Sequence, residues 1–329
     1  MRRLPALFAL PIYAATLLFG GGCRDDAKNT EGSPPPETSG PVAPAPTVEV
    51  PAPAIEVPAG VGAQPQALLA AAIRTLEGRD SISAEIQQEV DLFDKQLVGS
   101  GIYLEQRRGP LRLLRMELKL PLADRASSQV QVCDGTYLWI YRSAGEKISD
   151  LSRIKVDEAN RALEEAEATA GPADSGLLPG LGGLPKLLRG LHQTFEFTTA
   201  DRGTFDGVPV WRLQGRWKPE CLLDLLPDQR KTLEAGKLPN LELLPEHLPD
   251  RVVVLLGQDD LFPYRFEYRR SLPNKEGKSP DETSSPLVTM QLYNVQINTP
   301  IDPNRFIYNP GDLEPTDATD AFIKSLKSP

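Results

Sequence analysis

The first apolar run of the chain, residues 4–19, is broken only by prolines and Thr16. Arg2 and Arg3 precede it, and three glycines separate it from Cys23. This pattern is that of an export signal over residues 1–22, removed after targeting. A membrane span needs about 20 uninterrupted apolar residues, and two prolines break this run. From residue 31 to residue 65 the pattern vanishes into ten prolines among Ala, Val, Glu and Gly, with the near-repeat TVEVPAPAIEVPA. Such a composition builds no packed core. Residues 23–65 are therefore expected to form a tether that, fully extended, reaches on the order of 130 Å.

Periodicity returns at residue 66. In QALLAAAIRTLE, Leu69, Ile73 and Leu76 share one helical stripe behind Pro65, and Gly78 is placed to end the helix. The period then becomes two. Ile82, Ala84, Ile86, Val90 and Leu92 alternate with polar residues, and further alternation around Tyr103, Leu114–Met116–Leu118 and residues 129–132 predicts successive antiparallel strands. Asp134-Gly135 signals a hairpin into YLWIY, whose two faces are both apolar or aromatic, so each needs partial cover. Later strands are expected at residues 195–199, 208–217, 251–256, 264–269 and 287–297. Helical insertions are expected at 156–192, interrupted by a glycine- and leucine-rich joint over 171–183, and at 219–248. The joint reads either as a flap carrying Leu177, Leu178 and Leu181 or as a plain loop packed on the core. The fold class is α+β: one folded unit over residues 66–329, built on a curved antiparallel sheet of about 10–11 strands.

Composition narrows the function. Forty-five acidic and 36 basic side chains give a formal charge of -9, which disfavours nucleic acid as a partner. Removal of residues 1–22 takes Arg2 and Arg3 and no acid, leaving -11 over 307 residues, so anionic headgroups would repel the mature chain. Two histidines and three cysteines are too few for a zinc cluster or a disulfide-dense scaffold, and neither a metal nor another cofactor is expected. His192 and His247 have no ligand partners at metal spacing, no serine sits in a nucleophile elbow, and GLLPGLGGLP lacks the Lys-Ser/Thr pair of a phosphate loop. Asp134-Gly135 and Asp206-Gly207 are explained by turn chemistry. The expectation is a protein that is not an enzyme.

A signal ending in small residues directly before a cysteine resembles the bacterial lipoprotein type. In that type the Cys23 thiol receives a diacylglycerol and becomes the mature N-terminus, although Gly20 stands where the family usually has leucine. The resemblance implies an N-terminal lipid anchor in the bacterial cell envelope, facing the periplasm. Arg24, in place of an inner-membrane retention aspartate, leans towards the outer membrane. Within the folded unit, SISAEIQQEV after an amphipathic helix, GSGIYLEQRRG, CDGTYLWIY and LVTMQLYNVQINTPIDPNRFIYNP follow one another in an order that resembles the LolA/LolB-like lipoprotein carriers.

That resemblance implies an unclosed half-barrel whose concave face is covered by helices, enclosing an apolar cavity for the acyl chains of lipoproteins or lipids. Ile86, Val90, Leu104, Leu114, Met116, Leu118, Val132 and Trp139 are the candidate lining; the bland reading of each is ordinary core. It also implies a lid-latching arginine after the second strand, which is Arg107 or Arg108 unless both are solvated residues at a hairpin end. Segment 219–248 reads as an extra lid or a second covering layer, and Cys133 and Cys221 could form a disulfide that pins it. An envelope sensor or protein-interaction module, with another envelope protein as partner, is the alternative use of such a fold.

Overall fold

The computed structural model describes residues 64–92, 95–109, 111–122, 125–144, 148–170, 180–237, 239–271 and 284–327. Cys23, the signal and the tether lie outside the described residues, as do Leu177 and Leu178. Helix α1 (Pro65–Gly78) opens the fold with Pro in its first turn and buries Leu68, Leu69, Ala72, Ile73 and Leu76. This is the stripe that the sequence predicts, widened by two residues.

Six strands then run as consecutive antiparallel hairpins: β1 (Ser81–Leu92), β2 (Lys95–Arg108), β3 (Leu111–Leu122), β4 (Arg125–Cys133), β5 (Tyr137–Ala144) and β6 (Ile148–Lys155). The sequence reading did not anticipate β6. Two helices follow, α2 (Val156–Ala170) and α3 (Gly183–Thr194). The chain then builds the opposite wing through β7 (Phe195–Phe205), β8 (Val208–Trp217), β9 (Arg251–Gly257), β10 (Pro263–Ser271) and β11 (Ser284–Ile297). A two-residue strand, β12 (Thr316–Asp317), adds in parallel to β6 before the last helix, α6 (Thr319–Lys327).

Among the described residues these twelve strands form one sheet, ordered β12-β6-β5-β4-β3-β2-β1-β11-β10-β9-β8-β7. The sheet is strongly curved and does not close: it is an open half-barrel. Its order dictates where the helices lie. The chain leaves one wing at β6 and re-enters at β7, the edge strand of the other, so the stretch that carries α2 and α3 has to cross the sheet. The face it crosses is the apolar one. One continuous core joins α1 and α3 to Ile86, Leu114, Met116, Leu118, Val254, Phe266 and Leu292. The outer face carries two small clusters, one around Leu104, Leu113 and Phe306 and one around Val210, Val253 and Leu255. Strand β9 is thus buried on both faces, which is why RVVVLL reads as an unbroken apolar run.

Candidate functional site

Helix α3 presents Leu184, Leu187, Leu188 and Leu191, at the spacing i, i+3, i+4, i+7, and buries all four almost completely. Leu184 and Leu187 sit against Ile86, Tyr103, Met116, Met290 and Leu292 from four strands of the sheet. The hollow left between them is about 10 Å³, barely enough for one water molecule. In this arrangement the protein's own leucines fill the concave face.

The helices are fastened over that face by buried polar groups. Arg112, in β3, donates to the carbonyl oxygens of Glu77 (2.7 Å) and Leu76 (3.3 Å) at the C-terminal end of α1, where helical carbonyls lack intrahelical partners. Its other guanidinium nitrogen is paired with Glu105. Glu105 accepts from the Tyr103 hydroxyl, and that hydroxyl accepts from the Leu184 backbone N–H at 2.9 Å, in the first turn of α3. One chain of groups therefore runs from the end of α1 through β3 and β2 to the start of α3. Burial pushes the Glu105 carboxyl up, against the opposing pull of Arg112, and burial together with the Glu105 charge raises Tyr103 as well. Gly182 and Gly183 lead into α3 with φ of 129° and 64°, which side chains rarely adopt. A Cβ on Gly183 would also collide with the Glu105 carboxylate. An exposed ion pair between Arg189 and Glu77 ties α3 to α1 at the rim.

Five of the candidate lining residues, Ile86, Val90, Leu114, Met116 and Leu118, are buried on the helix-covered face. Three are not on it. Leu104 packs with Leu113 and Phe306 on the outer face. Val132 lies directly opposite Trp139 in the β4–β5 register, and Trp139 stacks on Tyr308 with ring centroids 5.5 Å apart. The strict alternation of a strand sends Tyr103, Cys133 and Leu138 inwards and so turns these three neighbours out. The latch is also displaced from its expected position. Arg107 pairs with Asp80 at 2.5 Å, both side chains exposed, and among the described residues its recorded side-chain bond goes to that carboxylate and not to a helix carbonyl; Arg108 is exposed at the hairpin end. The arginine that holds α1 is Arg112, on the other arm of the hairpin.

Cys133 and Cys221 are not bonded to each other, so the bridge that could have pinned segment 219–248 is not made. They sit on β4 and just after β8, seven strand spacings apart in the sheet. At about 4.8 Å per spacing this is roughly 34 Å along the surface, whereas a disulfide needs Cα atoms within about 7 Å.

No family model matches the sequence, and no curated protein matches it. Among solved structures, a DUF1329 family protein from Desulfovibrio piger is similar over 75% of this chain and 98% of its own, at 13% identity and a TM-score of 0.32. LprF from Mycobacterium bovis is similar over 75% and 96%, at 14% identity and 0.36. The lipoprotein LppX from Mycobacterium tuberculosis is similar over 72% and 97%, at 12% identity and 0.35. Superpositions this loose say nothing about ligands. An open, mostly antiparallel sheet, entered by an amphipathic helix and covered by helices, is the architecture implied by the sequence resemblance. The fold is an open half-barrel covered by helices.

The half-barrel carries a second cover over its other wing. Segment 219–248 forms α4 (Pro219–Leu225), a 3₁₀ turn (Pro227–Gln229), α5 (Arg230–Glu234) and a second 3₁₀ turn (Leu241–Leu243). Leu222, Leu226, Leu233, Leu244 and Leu248 from this segment join the main core. It is held by another arginine that the sequence reading did not single out. Arg270 in β10 donates to the carbonyls of Glu242 (3.2 Å), Leu244 (2.8 Å), Pro245 (2.8 Å) and Leu248 (2.8 Å). His247 lies within this latched loop, and its imidazole is held below the ordinary histidine range by burial and by the Arg270 charge.

Proposed function

We propose that this chain is a lipid-anchored protein of the bacterial envelope, without enzymatic activity, that takes acyl chains of lipoproteins or lipids onto the concave face now occupied by α3. The observation carrying this reading is a four-leucine helix seated on the sheet by a short polar latch and entered through two glycines of positive φ. Magnitudes favour an exchange. Burial of four leucines contributes about 6–12 kcal/mol, and a 16-methylene chain leaving water gains about 13 kcal/mol at most. The two occupants are closely matched, so a chain could replace the leucines without being trapped. Ligand sites of this kind occupy about 300–1,000 Å³, so the helix must swing away for a chain to enter. Anchoring through Cys23 and a Pro-rich tether would let the folded unit work at a distance from its membrane, with the outer membrane favoured.

The test is native mass spectrometry of the mature chain after mild purification, with organic extraction of what copurifies. The expected result is a bound amphiphile whose occupancy falls in Met116→Gln, on the concave face, and persists in Trp139→Gln, on the outer face. An empty chain, with α3 amides that exchange only by global unfolding, would reject the reading. The filled hollow is the one observation that favours the alternative, an envelope sensor or protein-interaction module. In that case crosslinking would capture an envelope protein while the preparation held no lipid.

A further inference from the structure

Beside the filled hollow lies a second cavity of about 230 Å³, open to solvent and of a different character. Arg112, Lys186 and Arg189 line it against one acidic residue, Glu77, beside Asn160 and the turn at residues 180–182. Three cations around one cleft are conspicuous on a chain with a formal charge of -9. The cleft and the hollow share the first turns of α3. Gly183, Leu184 and Leu187 face the hollow, while Gly182, Pro185, Lys186 and Arg189 face the cleft. With a helix about 10 Å across, an anionic group in the cleft and a hydrocarbon chain in the hollow would belong to one short amphiphile.

From this juxtaposition we infer that the Arg112–Lys186–Arg189 cleft binds the phosphate ester group of an amphiphile whose acyl chain displaces the leucines of α3. The inference rests on the acyl-binding reading and adds the chemical class of the headgroup. Arginine and lysine are the side chains that recognise phosphate, arginine through paired N–H donors and lysine as a point charge. A phosphate in the cleft would compete with Glu105 for Arg112, the group that also holds α1, so that headgroup binding loosens the latch. Glu105 can then take a proton from solvent and remain buried as a neutral acid, consistent with the upward push that burial already gives it.

The experiment uses the full mature chain carrying Cys23→Ser, which differs from the natural chain only at the anchor. Three probes are titrated: palmitoyl-lysophosphatidylglycerol, monopalmitoylglycerol without the phosphate, and glycerol 3-phosphate without the chain. The expected result is that the lysophospholipid binds at least tenfold more tightly than either fragment. Lys186→Gln and Arg189→Gln should each reduce its advantage over monopalmitoylglycerol at least threefold, a ratio that a general change in lid closure would leave alone. Glycerol 3-phosphate binding as tightly as the lipid, and lost in both variants, would support the phosphate site but assign it to soluble esters. Equal affinity for the two palmitoyl probes would overturn the headgroup inference and leave acyl binding intact. Binding of glycerol 3-phosphate but of neither palmitoyl probe would overturn acyl binding and keep the anion site, and binding of none would overturn both.

Discussion

Arg107 and Arg112 stand five positions apart on one hairpin, yet their surroundings separate them. Arg107 and Asp80 leave 44% and 72% of their side chains exposed, whereas Arg112 and Glu105 leave 16% and 1%. An exposed pair contributes about 0–1 kcal/mol; removal of one member of a buried pair costs about 3–5 kcal/mol, because the other charge stays behind. Urea denaturation should therefore show Arg107→Ala within about 1 kcal/mol of the natural chain and Arg112→Ala weakened by about 3–5 kcal/mol, less where Glu105 takes up a proton. Glu105 gives a prediction with a sign. Its carboxyl is raised in the folded state, so between the ordinary carboxylate range and its raised value the folded chain holds the extra proton. This group's contribution is fully present below the ordinary range and is lost as pH rises through the raised value. Denaturation at a series of pH values should show the natural chain losing stability over that window relative to Glu105→Gln, which has no proton to release.

At the scale of elements, α3 and segment 219–248 are both covers, fastened differently. Helix α3 rests on leucine burial, so Leu188→Ala, at a fully buried position, should cost about 2–5 kcal/mol by calorimetry. Gly183→Ala should release α3 more selectively, since φ of 64° and the collision with Glu105 both oppose a Cβ there. Hydrogen exchange should then speed up in α3 ahead of the sheet. The 242–248 loop is pinned by one guanidinium beside its buried leucines: Arg270→Ala removes a donor from four carbonyls, of which only that of Pro245 keeps a backbone partner, and limited proteolysis should cut between residues 236 and 250 while β9 and β10 stay protected.

For the whole molecule, the open sheet sets distances that local sequence cannot. Cys133 and Cys221 lie on different wings, so their thiols should react independently. Burial pushes the Cys133 thiol up to about 11, and iodoacetamide at neutral pH should label Cys221 first and Cys133 only after denaturation. An excess of disulfide-linked product in non-reducing peptide mapping would contradict the strand order. The proposed anchor acts at the same scale: Cys23→Ser should move the protein from the membrane to the soluble fraction, as expected for a chain with a net charge of -11 that anionic membranes repel.

The period of the apolar residues was enough to determine α1, most strands and both inserted helical regions, because amphipathic elements announce their spacing locally. Turn chemistry was equally legible. Asp134 accepts from Thr136 and Tyr137 N–H at 2.8 Å, and Asp206-Gly207 adopts the positive φ angles of a tight hairpin. Which face of a doubly apolar strand turns inwards was not legible: Leu104, Val132 and Trp139 carry the same side-chain chemistry as residues on the concave face. Nor was the latch, since Arg107, Arg108 and Arg112 are alike until an unpaired helix end is brought against one of them. The sequence by itself determined the elements and their hydrophobic faces, because both depend on neighbours a few residues away. Only the tertiary structure decided how the concave face is filled and which arginine holds the helix, because those depend on the path of the chain from β6 across the sheet to β7.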